Sequence, residues 1–140
     1  MRRAIVPPAL SSLAAASGFS PAIRAGDHLY LTGATGGDAA GVMPPEAGAQ
    51  ARNALTKAMA ILDSAHVDET AVVEMTSYHI DIAAHFDAIR AVVEAFFSAP
   101  LPAWTAVEVA GLRRPGALVE FRIVAHDPEA ITPAPETTVR

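Results

Sequence analysis

The sequence contains no cysteine, which excludes disulfide frameworks, thiolate catalysis, iron–sulfur clusters and Cys-ligated zinc together. Lysine is nearly absent as well. Only Lys57 among the 10 cations is a lysine, so a Schiff-base mechanism would rest on that single amine, which is expected on a helix surface. Charged residues make up 18% of the chain, and 15 acidic against 10 basic side chains give a net charge of −5. That sign opposes a phosphate-neutralising surface and argues against nucleic acid as a partner. Long hydrophobic runs are missing too: the apolar stretch after Arg3 breaks at Pro7-Pro8, and no run reaches transmembrane length. A soluble, cytoplasmic protein without a membrane partner is expected. His28, His66, His79, His85 and His126 lack metal-ligand spacing, so no metal is expected.

What remains is apolar and alanine-rich. With 140 residues and 51% hydrophobic content the chain suits one domain spanning 1–140, with a flexible Pro/Thr-rich tail over 128–140. Its 31 alanines are small core fillers, and such a core is often completed by a subunit interface. Between Glu46 and Ala65, the residues Ala51, Ala54, Leu55, Ala58, Ile61 and Leu62 mark one helical face, opposite Gln50, Arg52, Asn53 and Lys57. A second stripe runs Ile82, Phe86, Ile89, Val93, Phe96 and Phe97, with Asp81 as its expected N-cap and Pro100 near its stop. Strand chemistry marks Ala22–Ala25, His28–Thr32, Val72–Ile80, Ala103–Val109 and Leu118–Ala125. Ser11 to Gly18 reads only as a compositionally biased segment. Gly33-Ala34-Thr35-Gly36-Gly37 reads as a tight loop, since no Lys-Ser/Thr follows it to make a phosphate loop.

The order β-β-α-β-α-β-β predicts an α+β fold, one sheet with two helices on one face. Alternation assigns Val119, Phe121, Ile123 and Ala125 to the covered face, leaving Glu120 and Arg122 on the bare one. Trp104 and Glu108 share a face in the preceding strand. That face is expected to be the bare one, where Trp, Glu and Arg would line a polar cleft between subunits. Of Tyr78 and His79, one must point to the bare face; a buried, hydrogen-bonded role is the simpler reading of His79.

Several segments in this order resemble the Rid (YjgF-like) family: Gly18-Phe19-Ser20-Pro21, Leu29-Tyr30-Leu31-Thr32-Gly33, Gln50-Ala51-Arg52-Asn53, Thr76-Ser77-Tyr78-His79, Pro102-Ala103-Trp104-Thr105-Ala106-Val107-Glu108-Val109 and Ala117-Leu118-Val119-Glu120. The resemblance implies a chorismate-mutase-like homotrimer with clefts between subunits, acting on reactive imines and enamines without a cofactor. In the deaminase branch an Arg after Pro-Ala grips the substrate carboxylate; here that position is Trp104, so the chain resembles a divergent member lacking the usual anchor. The resemblance also implies that Glu120 holds or activates water. Trp104 and Phe19 would shape the pocket, with Thr105 and the backbone of Gly33, Ala34 and Thr35 as polar contacts. The expected activity is a deaminase, hydrolase or cyclase on a small molecule with a C=N or enamine group. The alternative is a non-catalytic trimeric module that binds small ligands or acts as a chaperone.

Overall fold

A computed structural model describes residues 1–128; the expected tail beyond Pro128 lies outside the described residues. Seven strands and three helices follow in order: β1 (Arg3–Ile5), α1 (Ser11–Ser17), β2 (Ala22–Ala25), β3 (His28–Leu31), β4 (Ala34–Thr35), α2 (Ala47–Ser64), β5 (Val72–His79), α3 (Ile82–Phe96), β6 (Ala103–Glu108) and β7 (Val119–His126). They form one sheet in the order β1-β2-β3-β7-β5-β6, with β4 also paired to β7. Only β5 and β6 run parallel, and α3 supplies the crossover that a parallel pair needs.

The two long helices lie where their apolar stripes predict. Ala51, Ala54, Leu55, Ala58 and Leu62 of α2, and Ile89 and Val93 of α3, are buried with Leu29, Met75, Val119, Phe121 and Ile123 of the sheet in one core. The start of α3 differs from expectation. Asp81 makes no side-chain cap and takes a left-handed φ of 50°. The carboxylate of Glu108 instead accepts the Ile82 N–H at 3.1 Å, fastening the end of β6 to the first turn of α3.

Three elements were not legible as such. Ser11–Ser17 is a helix, α1, closed by Gly18 at φ 72°, whose N–H donates to the Ala14 carbonyl. The short strand β1 pairs with β2, and Ala34–Thr35 of the expected tight loop pairs with β7 as β4. Gln50 is fully buried and joins distant segments: its amide donates to the carbonyls of Pro44 and Gly116 at 2.7 and 3.0 Å and accepts the Leu118 N–H at 2.7 Å. A side chain expected on the polar face of α2 is therefore an internal tie.

Candidate functional site

The bare face of the sheet is built by cross-strand pairing. Glu120 lies opposite Thr35 of β4 and Tyr78 of β5, and Tyr78 lies beside Val107 of β6. The next row is Arg122, Thr76 and Thr105. Side chains of paired residues share a face, so Glu120, Tyr78, Arg122 and Thr105 all project from the side opposite α2 and α3. Among the described residues no ion pair joins Glu120 to Arg122.

Glu120 packs against the turn into β4. A Cβ on Gly33 would come within 2.8 Å of Glu120 Oε1 and 2.9 Å of Cδ, so the carboxylate lies flat on a backbone that only glycine leaves open. Ala34 pairs with Phe121 and Thr35 with Glu120, which splits the expected loop contacts: Gly33 and Thr35 belong with the acid, and Ala34 belongs with the core-facing row. Phe19 follows α1, half-buried. Its neighbour Ser20 accepts the Thr32 hydroxyl, and Pro21 accepts the Thr32 N–H, so this stretch is stitched to the residue preceding Gly33.

Trp104 is elsewhere. Its partner in β5 is Met75, which is fully buried under the helices, and the parallel register carries the indole to that same side. The expectation that Trp104 shares the bare face with Glu120 is therefore corrected: within one chain the ring and the acid project from opposite faces, and β5 separates their strands. Glu108 does share the face of Trp104, but it is the helix side. The half-buried indole stacks on Phe86 of α3, with centroids 5.4 Å apart at 30°. Its Nε1–H donates to Ser77 Oγ at 2.8 Å, and that hydroxyl lies 2.6 Å from His79 Nε2. Since β6 is the border strand of the sheet, this cluster sits at the molecule's edge.

His79 is fully buried, and its Nδ1 has no hydrogen-bond partner among the described residues. Burial holds its imidazole below the ordinary value of 6.5, because the cation would be stranded away from water. The folded form refuses a proton that the unfolded chain accepts. Stability from this group is complete above the ordinary value and is lost as the pH falls through it, with a slope of up to about 1.4 kcal/mol per pH unit. Urea midpoints measured as a function of pH should show this decline, and His79→Asn should flatten it.

One chain thus carries two separate clusters: Glu120 with Gly33, Thr35 and Tyr78 on the bare face, and Trp104 with Phe86, Ser77 and His79 at the far border. Tyr78 is the polar neighbour of Glu120 that sequence reading left undecided against His79; the buried reading of His79 settled by its position also sends Tyr78 outward. Among the described residues no helix is long and apolar enough to cross a membrane.

A single mixed sheet with its two long helices on one side, ordered in this way, is the YjgF-like α+β architecture. The chain belongs to the endoribonuclease L-PSP family, whose model matches residues 9–127. It is 36% identical over 129 residues to the RutC family protein YjgH of Escherichia coli, covering 91% of this chain and 97% of that one. A solved structure of protein YjgH superposes with a TM-score of 0.80 at 34% identity, over 91% of this chain and 97% of that chain. Rv2704 of Mycobacterium tuberculosis, described as a member of the YjgF/YER057c/UK114 family, superposes with a TM-score of 0.75 at 28% identity, over 90% of this chain and 99% of that one.

Proposed function

We propose that the protein is a Rid-type, cofactor-independent enzyme acting on a small imine or enamine, and that its site forms between copies of a homotrimer. The observation that carries this reading is the Glu120 carboxylate, free of an ion pair among the described residues and laid against Gly33 on the bare face. In a closed ring of identical subunits each copy offers one patch to the next and receives a different one. Two half-sites at separate places on one chain suit such a head-to-tail arrangement, in which Glu120 and Phe19 of one copy face Trp104 of its neighbour.

The chemistry then follows from the residue types. Glu120 accepts a proton from water as the oxygen adds to the C=N carbon, giving a carbinolamine. It returns that proton to the nitrogen, then carries the carbinolamine hydroxyl proton to the same nitrogen as the C–N bond breaks, and a carbonyl compound and an amine leave. With an enamine, the proton that Glu120 takes from water goes instead to the β-carbon, and the hydroxide left behind adds to the iminium carbon so formed. Tyr78 and Thr105 offer hydroxyls on the same face. Trp104 supplies an apolar wall, its single N–H being held by Ser77, and an indole cannot neutralise a carboxylate as an Arg would.

The test is turnover of N-benzylidenemethylamine, a neutral acyclic imine, read by mass spectrometry as benzaldehyde and methylamine released above the uncatalysed rate, beside iminopyruvate. Conversion of the neutral imine with poor activity on the imino acid is expected. Saturable binding without product would favour the non-catalytic ligand-binding module, and brisk iminopyruvate turnover would overturn the proposed recognition. The family description names an endoribonuclease. A net charge of −5 disfavours an RNA substrate, and the purified protein should leave RNA intact.

A further inference from the structure

Trp104 is the only tryptophan of the chain, and its surroundings hold more polar groups than a core contact needs. Ser77 and His79 are both fully buried, two residues apart on the helix side of β5. The indole N–H reaches Ser77 Oγ, the hydroxyl reaches His79 Nε2, His79 meets Phe86 edge-on with centroids 5.8 Å apart, and Phe86 stacks back on the indole. The contacts close on themselves: imidazole, hydroxyl, indole, phenyl.

Donor accounting fixes one end of the string. Indole nitrogen only donates, so Ser77 Oγ accepts from it. The direction of the second bond, between Ser77 Oγ and His79 Nε2, follows the imidazole tautomer, and in either tautomer Nδ1 lacks a partner among the described residues. Three apolar side chains would fill this volume without removing three polar groups from water. What the polar version adds is direction. The torsion that turns an indole about its Cβ–Cγ bond is broad and poorly defined by packing alone, whereas a hydrogen bond from the N–H edge fixes which way the ring faces.

We propose that Ser77 and His79 are positioning residues that lock the plane of Trp104, and that this lock sets the pocket's preference for flat, uncharged, unsaturated ligands. The selectivity half of this rests on the reading that Trp104 lines the pocket; the lock itself does not. No acidic group belongs to the string. The charged and titratable neighbours contributed by the packed elements are Glu108 of β6, which pairs beside His79 and caps α3, and Asp81 and His85 around the start of α3.

A single tryptophan makes the lock directly readable. In isotope-labelled protein the one indole N–H gives one cross-peak, and Ser77→Ala should speed its solvent exchange by about tenfold and raise the ring's mobility by fluorescence anisotropy. Ser77→Thr, which keeps the hydroxyl on a strand-favouring residue, should restore the wild-type values. The affinity ratio for dihydroisoquinoline over pyrroline should fall by about fivefold in Ser77→Ala and recover in Ser77→Thr. A folded Ser77→Ala protein with wild-type indole exchange overturns the lock, as does fast indole exchange in the wild type should that variant fail to fold. If exchange changes as expected but the ratio does not, the selectivity claim falls and the lock stands. Absence of any imine binding by the wild type overturns the proposed function and the selectivity claim together, leaving the lock to the exchange result.

Discussion

Glu120→Gln should lower turnover of a neutral imine by about 10²–10⁴-fold, the range that a well-placed proton-transferring group contributes. The amide keeps the shape of the carboxylate against Gly33 but cannot take a proton from water. Gly33→Ala makes a sharper companion. Its new methyl would meet the far end of the Glu120 side chain at 2.8 Å, and that end can swing aside while the backbone stays in place. The variant should keep most of its stability and lose activity by displacing the acid. Equal turnover in wild type and both variants, measured under single-turnover conditions, would remove Glu120 from the chemistry.

The largest loss of stability is expected at Gly36. A Cβ there would lie 2.3 Å from Gln50 Cα and 2.5 Å from the Gln50 carbonyl oxygen, so backbone would have to move from backbone. Nothing flexible stands between them. Separating β4 from α2 would also strain the hydrogen bond from Asn53 Nδ2 to the Gly36 carbonyl, 3.0 Å, and the Gln50 ties. Gly36→Ala should therefore cost about 3 kcal/mol or more, a fall in Tm of about 10 °C for a domain of this size. Gly37→Ala is the control: its nearest neighbour would be the Arg114 guanidinium at 3.5 Å, an ordinary contact, and its melting curve should overlay the wild type within a degree or two.

The elements that could be read from sequence are those whose chemistry repeats. The α2 stripe and the Val119, Phe121, Ile123, Ala125 row are periodic and buried as expected, and Ala22–Ala25 is a strand with those bounds. Helix α1 has no apolar stripe: Ser11–Ser17 is serine, leucine and alanine with Leu13 exposed, and only its closing Gly18 was a signal. Trp104 shows a different limit. Alternation tells which residues of a strand share a side, but not which side the helices take; that is set by pairing with Met75, a partner distant in the sequence. The contact of Glu120 with Gly33 is equally non-local, since it arises only because β4 is laid beside β7. Asp81 was a reasonable cap by type, but the Glu108 carboxylate, brought in by the β6 register, occupies the role.

The Gln50 amide has a consequence for how such a chain can change over generations. Because one side chain grips residues 44, 116 and 118, the approach to α2 and the entry to β7 form a single mechanical joint. An inserted or deleted residue between 116 and 118 would break the joint at one arm. Length variation should be borne more readily across 110–113, upstream of the grip and past the Val109 N–H that is tied to the His79 carbonyl, which leaves descendants of this sequence room to diverge there.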